Sequence, residues 1–370
     1  MNSLERRELR YQRRKKLRED KIINKCSLIN IDNCFKFSKV YYYAKKCTKN
    51  VGYKKSTINF KLHMFSIVSS TCVSIKNNNY KVSDTYKFKI NERGKERIID
   101  APTIKDRLVH KVISNEVLIP LYDSKLIYDN GASCICKGFS FTLKRVKLKL
   151  LGWYKKYGLN GYVILIDYSK FFENCDHRVI CDIHKKYIRD EYFIKVIEDY
   201  LFINKGLSLG IEIAQREALM YPNNLDKYII NKGLPIIRYM DISLIICHSY
   251  NEALDILNKY KIIAKELNIK INSNKTIIVN LNRCFKFCNW KFKLLDNGDV
   301  YYKVCRNTIY RQRRKIVKMF NNGVNIIEIY NTIVSFKAYL KLGYNYFSMK
   351  YMEYILFSIS QNPKKLLFGK

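Results

Sequence analysis

RYMDISLII, running from Arg238 to Ile246, holds one carboxylate, Asp241, among apolar residues. Polar and apolar side chains alternate from Arg238 to Leu244, the pattern of a half-buried strand. A carboxylate in such a strand is costly to bury unless it meets a partner or a metal ion. Taken alone, the stretch is satisfied by an ordinary strand with an acid on its wet face, so the rest of the chain must decide. GYVILIDYSKFF, residues 161–172, is a second apolar strand with an acid, Asp167, at its end. Two strand-borne carboxylates brought side by side repel each other unless a cation sits between them. Oxygen ligands of this kind suit Mg²⁺, which takes one or two protein carboxylates and completes its shell with water and phosphates.

The composition names a partner for such a site. Of 370 residues, 69 are Lys or Arg and 32 are Asp or Glu, which leaves a formal charge of +37 spread along the whole length. The abundance of Lys, Asn, Ile and Tyr suggests an AT-rich coding sequence, but that bias does not explain the shortage of acids. An extended basic surface is the electrostatic footprint of nucleic-acid binding. With 48% hydrophobic residues the chain builds a real core rather than a disordered tail. No apolar run reaches the length of a membrane span, and MNSLERRELRYQRRKK does not read as a signal peptide. A cytoplasmic protein without a membrane partner is expected. The 12 cysteines are scattered without C-x-x-C pairs, as free thiols in a reducing compartment would be. Cys181 and His184 could share a helical face, but two donors do not make a zinc site.

Along the chain, residues 4–20 form a helix candidate that is polar all round. KINERGKERIIDAP, residues 89–102, reads as two strands about a turn at Gly94, the second ended by Pro102. A helix is expected over 104–118, and a basic helix at FTLKRVKLKLLGWYKKYG, residues 141–158. Another is expected from the GLSLG loop at 206–210 to about Ile230, and a further one over about 251–267. The chain after Asn307 reads as helical and, at first, strongly basic.

In order and spacing these segments resemble the reverse transcriptases of bacteria, their phages and mobile elements. YVILIDYSKFFENCDH is similar to that family's motif A, KGLSLGIEIAQREALMYPNNLD to motif B, and RYMDISLII to motif C, whose usual form is Y-x-D-D. LNIKINSNKT resembles motif D and FKFCNWKFKL the primer-grip motif E. RIIDAPTIKDRLVHK and LIYDNGASCICKGFS resemble the fingers segments upstream. The likeness spans roughly residues 85–320.

The resemblance implies an α/β (α+β) right-hand polymerase with fingers, an antiparallel-sheet palm and a short helical thumb. It divides the chain into a basic N-terminal extension (1–40), fingers (41–155), a palm (156–300, with part of the fingers interleaved) and a thumb-like helical region (301–370). It implies RNA-directed DNA synthesis with two Mg²⁺ ions, or Mn²⁺ in their place, held by Asp167 and Asp241. Phe172 would sit under the incoming sugar, where a bulky ring clashes with a 2′-hydroxyl. Gly210 would let backbone approach nucleotide and template, beside Gln215. Lys275 would lie near the leaving pyrophosphate, and Lys95 and Arg97 would hold the triphosphate. Asp106 and Arg107 read as a structural pair. The basic helix beginning KVCRNTIYRQRRK would track duplex backbone through Arg311, Arg313 and Arg314. The implied partners are an RNA template, a DNA or RNA primer and dNTPs, with a dedicated non-coding RNA as a further candidate. No maturase, endonuclease, RNase H or integrase module is recognisable.

Two positions depart from the pattern. Ile242 stands where the family has its second motif C acid, and Ala214 where relatives usually carry Ser. Beside the tip of a hairpin a β-branched residue is poor turn chemistry, so strain is expected at Ile242. Three functions remain open: a polymerase working with Asp167 and Asp241, a catalytically degenerate nucleic-acid-binding protein, and an untemplated or protein-primed DNA polymerase of antiphage defence.

Overall fold

The computed structural model describes residues 30–361 apart from Arg93. The helix expected over 4–20, and most of the 1–40 extension, lie outside the described residues. The nine described strands are β1 (Tyr86–Glu92), β2 (Lys95–Ala101), β3 (Tyr162–Asp167), β4 (Ile236–Tyr239), β5 (Ile242–Cys247), β6 (Ile277–Asn280), β7 (Phe285–Phe287), β8 (Trp290–Leu294) and β9 (Val300–Val304). They form antiparallel sheets in the orders β1-β2, β4-β5-β3-β6 and β7-β8-β9, in a mixed α/β fold. The chain divides into two compact units.

The first unit comprises the chain up to Tyr128, Tyr168–Lys227 and Lys261–Lys270. Its only described sheet is the β1-β2 hairpin, paired from Tyr86↔Ala101 to Glu92↔Lys95. Gly94 takes φ +79° in the turn, and Asn91 Oδ1 accepts its N–H at 3.0 Å. Pro102 ends the second strand as expected, and Thr103 caps the helix Ile104–Ile113 by accepting from the Asp106 N–H at 3.2 Å. A π-turn (Ser114–Leu118) and the short helix Ile119–Tyr122 follow. Pro120 lacks an amide hydrogen, which fits the irregularity at that point.

The expected single helix from the GLSLG loop to about Ile230 is in fact two, Glu212–Met220 and Asn223–Asn231. Pro222 between them cannot donate to the helical ladder, and the Leu225 and Asp226 N–H groups bond its carbonyl at 3.0 and 3.3 Å to start the second helix.

The second unit comprises Asp129–Asp167, Tyr228–Tyr260 and Ile271–Lys370. Leu143, Val146, Leu150 and Trp153 lie three and four apart on the helix Phe139–Tyr157 and form its apolar stripe. They join one face of the four-stranded sheet, Val163, Leu165, Ile237, Leu244 and Ile246, in a single apolar core. The same core takes in Phe285, Trp290 and Phe292 of the three-stranded sheet and Ile316, Ile329, Ile333 and Leu340 of the helices that follow. Each fully buried Leu or Ile stabilises such a core by about 1.5–3 kcal/mol. Phe139, Tyr239, Trp290 and Tyr339 gather at one place, with ring centroids 5.4–6.3 Å apart in the contacting pairs. There the Trp290 indole donates to the Tyr339 hydroxyl at 2.5 Å.

Candidate active site

RYMDISLII is a hairpin rather than one strand. β4 and β5 pair from Ile236↔Ile245 to Tyr239↔Ile242, leaving Met240 and Asp241 as a two-residue turn. The left-handed backbone conformation falls on Met240, at φ +56°, and not on Asp241. Positive φ at only the first turn residue is the II′ pattern, which favours Gly there. The residue strained by the turn is therefore Met240. The strain expected at Ile242 is absent, because Ile242 already belongs to β5, where β-branched side chains fit well. Beneath the turn, Arg238 is fully buried and its Nη1 donates to the Met240 carbonyl at 3.3 Å.

Asp167 ends β3 directly across from Ile242. Tyr239, Ile242 and Asp167 thus stand in a row on the face that carries the apolar core, and Ile242 and Tyr239 pack against that core. Asp241 is half-buried at the tip, one residue from Ile242. Burial and then the Asp241 charge push the Cys288 thiol up to about 12, so that cysteine stays protonated.

The segment expected near a leaving group is clipped onto Asp167. The Asn272 N–H donates to the Asp167 carbonyl at 2.8 Å, and Asn272 Nδ2 reaches Asp167 Oδ1 at 3.3 Å. The N–H groups of Lys275 and Thr276 both donate to the Asn272 carbonyl, at 3.2 and 2.9 Å. From this turn the Lys275 Nζ lies 3.1 Å from both Asp167 oxygens.

The remaining expected site residues lie in two places. In the first unit, Lys95 and Arg97 are exposed on β2, and Arg97 Nε meets Glu92 Oε2 at 3.2 Å. Gly210 has φ +106°, and a Cβ there would lie 2.4 Å from the Asp100 carbonyl oxygen, so the position needs glycine for the fold alone. Gln215 is exposed on the helix Glu212–Met220, and Ala214 is fully buried. Phe172 is half-buried against Phe171 at 5.7 Å, and its carbonyl accepts the Leu207 N–H at 2.7 Å. In the second unit, Arg311, Arg313 and Arg314 share the helix Arg306–Asn321, with Arg311 and Arg314 exposed.

Asp106 and Arg107 do not pair. Asp106 accepts from the hydroxyls of Tyr80, Tyr200 and Thr103 at 2.5–2.8 Å. Those bonds hold its carboxyl below the usual range although burial opposes this.

His184 sits between two carboxylates. Its Nδ1 meets Glu198 at 3.3 Å, and its Nε2 lies 3.1 Å from Glu217 in an ion-pair contact too bent for a hydrogen bond. Burial disfavours the imidazolium, but Glu217 and Glu198 outweigh it and raise His184 to about 9. Tyr122 donates to Glu217 at 3.0 Å. Among the described residues no group of three or more His, Cys, Asp or Glu side chains could hold a metal ion.

The reverse transcriptase (RNA-dependent DNA polymerase) family model matches residues 76–295, well over half of the chain. The protein belongs to this family. No curated protein matches the sequence. Among solved structures the chain is similar to the telomerase of Candida albicans in complex with a fragment of telomeric RNA, at 10% identity and a TM-score of 0.48, covering 80% of this chain and 58% of that one. It is also similar to the apo telomerase of Candida tropicalis truncated from its C-terminal domain, at 12% identity and a TM-score of 0.45, covering 59% and 55%. The reverse transcriptase chain spans little more than half of either telomerase chain.

Reverse transcriptase domains generally use divalent metal ions. Asp167 and Asp241 carry carboxylate oxygens, the donor type that suits such an ion, and Ile242, across from Asp167, offers only apolar packing. No described helix is long and apolar enough to cross a membrane.

Proposed function

We propose that this chain is an RNA-directed DNA polymerase of the kind carried by bacteria, phages or mobile elements. The observation that carries the reading is the pairing of Asp167, at the end of β3, beside the Met240–Asp241 turn of the neighbouring hairpin. A divalent ion bound by Asp167 and Asp241, Mg²⁺ or Mn²⁺, supplies activation of a primer 3′-hydroxyl and neutralises charge on the phosphates of a dNTP. The chain's own residues do the rest. Arg238 under the turn and Asn272 at Asp167 fix the two carboxylates, which preorganises them. Phe172 excludes a 2′-hydroxyl, and Lys95 and Arg97 on the β1-β2 hairpin take the triphosphate. Arg311, Arg313 and Arg314 hold duplex phosphates and so position it without reading sequence. In this assignment residues 41–155 act as fingers, 156–300 as palm and 301–370 as thumb, on an RNA template with a DNA or RNA primer.

Primer extension on an RNA template in Mg²⁺ and in Mn²⁺ tests the reading, beside Asp167→Ala. Template-dependent incorporation that the variant loses by at least a hundredfold is the expected result. Ile242 and the Lys275–Asp167 contact favour a second reading, a polymerase fold that binds RNA without synthesis. It predicts salt-sensitive RNA binding with no incorporation in either metal. Incorporation that ignores template sequence would instead mark an untemplated enzyme.

A further inference from the structure

We propose that Lys275 is a tethered counter-cation of Asp167, which competes with the divalent ion for that carboxylate and sets how much metal the site demands. The inference rests on the reading above that Asp167 is a metal ligand.

Its ground is the geometry of the contact. The ammonium lies 3.1 Å from each Asp167 oxygen, so it faces the open side of the carboxylate, the side from which a cation approaches. It arrives there by construction, because the turn that presents Lys275 is itself held to Asp167 by Asn272 through one backbone and one side-chain bond. A group delivered from a clipped turn acts at high effective concentration.

The two partners differ in exposure. The Asp167 side chain is 12% exposed, whereas that of Lys275 is 56% exposed. The carboxylate is therefore fixed, held also by Asn272 Nδ2, while the ammonium can swing into water and open the carboxylate to an incoming ion. Ile242 completes the argument, because the position across from Asp167 offers apolar packing and no charge. With the Asp167 carboxylate already offset by the Lys275 ammonium, the strand end attracts a divalent ion less strongly than it would without that ammonium. The rival account is that the exposed ammonium simply moves off into water when an ion arrives, and metal affinity then does not depend on Lys275.

Mn²⁺ binding to the full chain, followed by loss of the free-ion paramagnetic signal in the presence of primer–template duplex, decides between them. Moving a unit charge a few ångströms away from a divalent ion changes affinity by about tenfold or more even in a water-like medium. Lys275→Met should therefore tighten Mn²⁺ binding by about tenfold. Lys275→Arg, which keeps the charge, should bind as weakly as the native chain, and Asp167→Asn should erase the gain when combined with Lys275→Met. Circular dichroism checks folding, and Lys275→Gln is read by the same criterion if Lys275→Met does not fold. Equal or weaker binding by Lys275→Met, with Asp167→Asn still lowering the native affinity, overturns the counter-cation and leaves Asp167 a ligand. Native chain and Asp167→Asn binding alike would overturn both readings at once.

Discussion

Two regions of this protein set carboxylates against a cation, and they do so in opposite ways. In the first unit His184 and Glu217 are fully buried, with Glu198 and the Tyr122 hydroxyl closing the cluster. In the second unit Asp167 and Lys275 meet at the end of a strand, with the ammonium largely in water. A buried charge has no alternative to its partner, so the first arrangement is rigid and its loss is costly. An exposed ammonium always has water as an alternative, so the second contributes little stability and stays exchangeable. Charge inside the first unit holds three helices in place, and charge at the strand end is left available for a ligand.

The sharpest way to break this comparison is His184→Ala. It leaves Glu217 buried without its cation and should cost about 3–5 kcal/mol in urea unfolding. The native cluster also has a pH signature. His184 is raised from its ordinary 6.5 to about 9, so its stabilisation is complete below pH 6.5 and is lost as pH rises through 9. A declining stability over that window that His184→Ala removes would confirm the sign; a flat profile in the native chain would refute it.

Ile242→Asp has an intermediate effect. A carboxylate directly across from Asp167 loses apolar packing and adds repulsion, which should cost about 1–2 kcal/mol in chelator. Mn²⁺ should return part of that loss in thermal unfolding. No recovery with Mn²⁺ would mean that the strand end is not a cation site.

The smallest effect is expected at the exchangeable pair itself. Lys275→Met, which removes only the largely exposed ammonium, should shift unfolding by about 1 kcal/mol or less. A loss as large as that of His184→Ala would erase the distinction between the two regions.

Much of the frame was legible in the residues. The apolar run of β3 ending at Asp167, the hairpin about Gly94 and the stop at Pro102 follow from alternation and turn chemistry that operate within a few residues. The break at Pro222 carried a local signal as well, since proline cannot continue a ladder. Other features had none. Nothing in Met240 announces a left-handed turn residue, because the pairing of β4 with β5 imposes it. The opposition of Ile242 and Asp167 depends on register between strands far apart in the sequence. His184 finds Glu198 and Glu217 on two other helices, contacts that no local spacing announces. Lys275 was legible as a cation of interest, whereas its seat on Asp167 depends on the Asn272 turn.

The aromatic gathering around Phe139 has an optical consequence. The chain holds two tryptophans, and both are buried in the second unit. Trp290 shares one ring neighbour, Phe139, with Tyr239, the residue immediately before the Met240–Asp241 turn. Any occupant that displaces Tyr239 alters the surroundings of that indole. The protein thus contains an intrinsic fluorophore a few side chains from its candidate chemistry, and occupancy there can be followed by emission without attaching a dye.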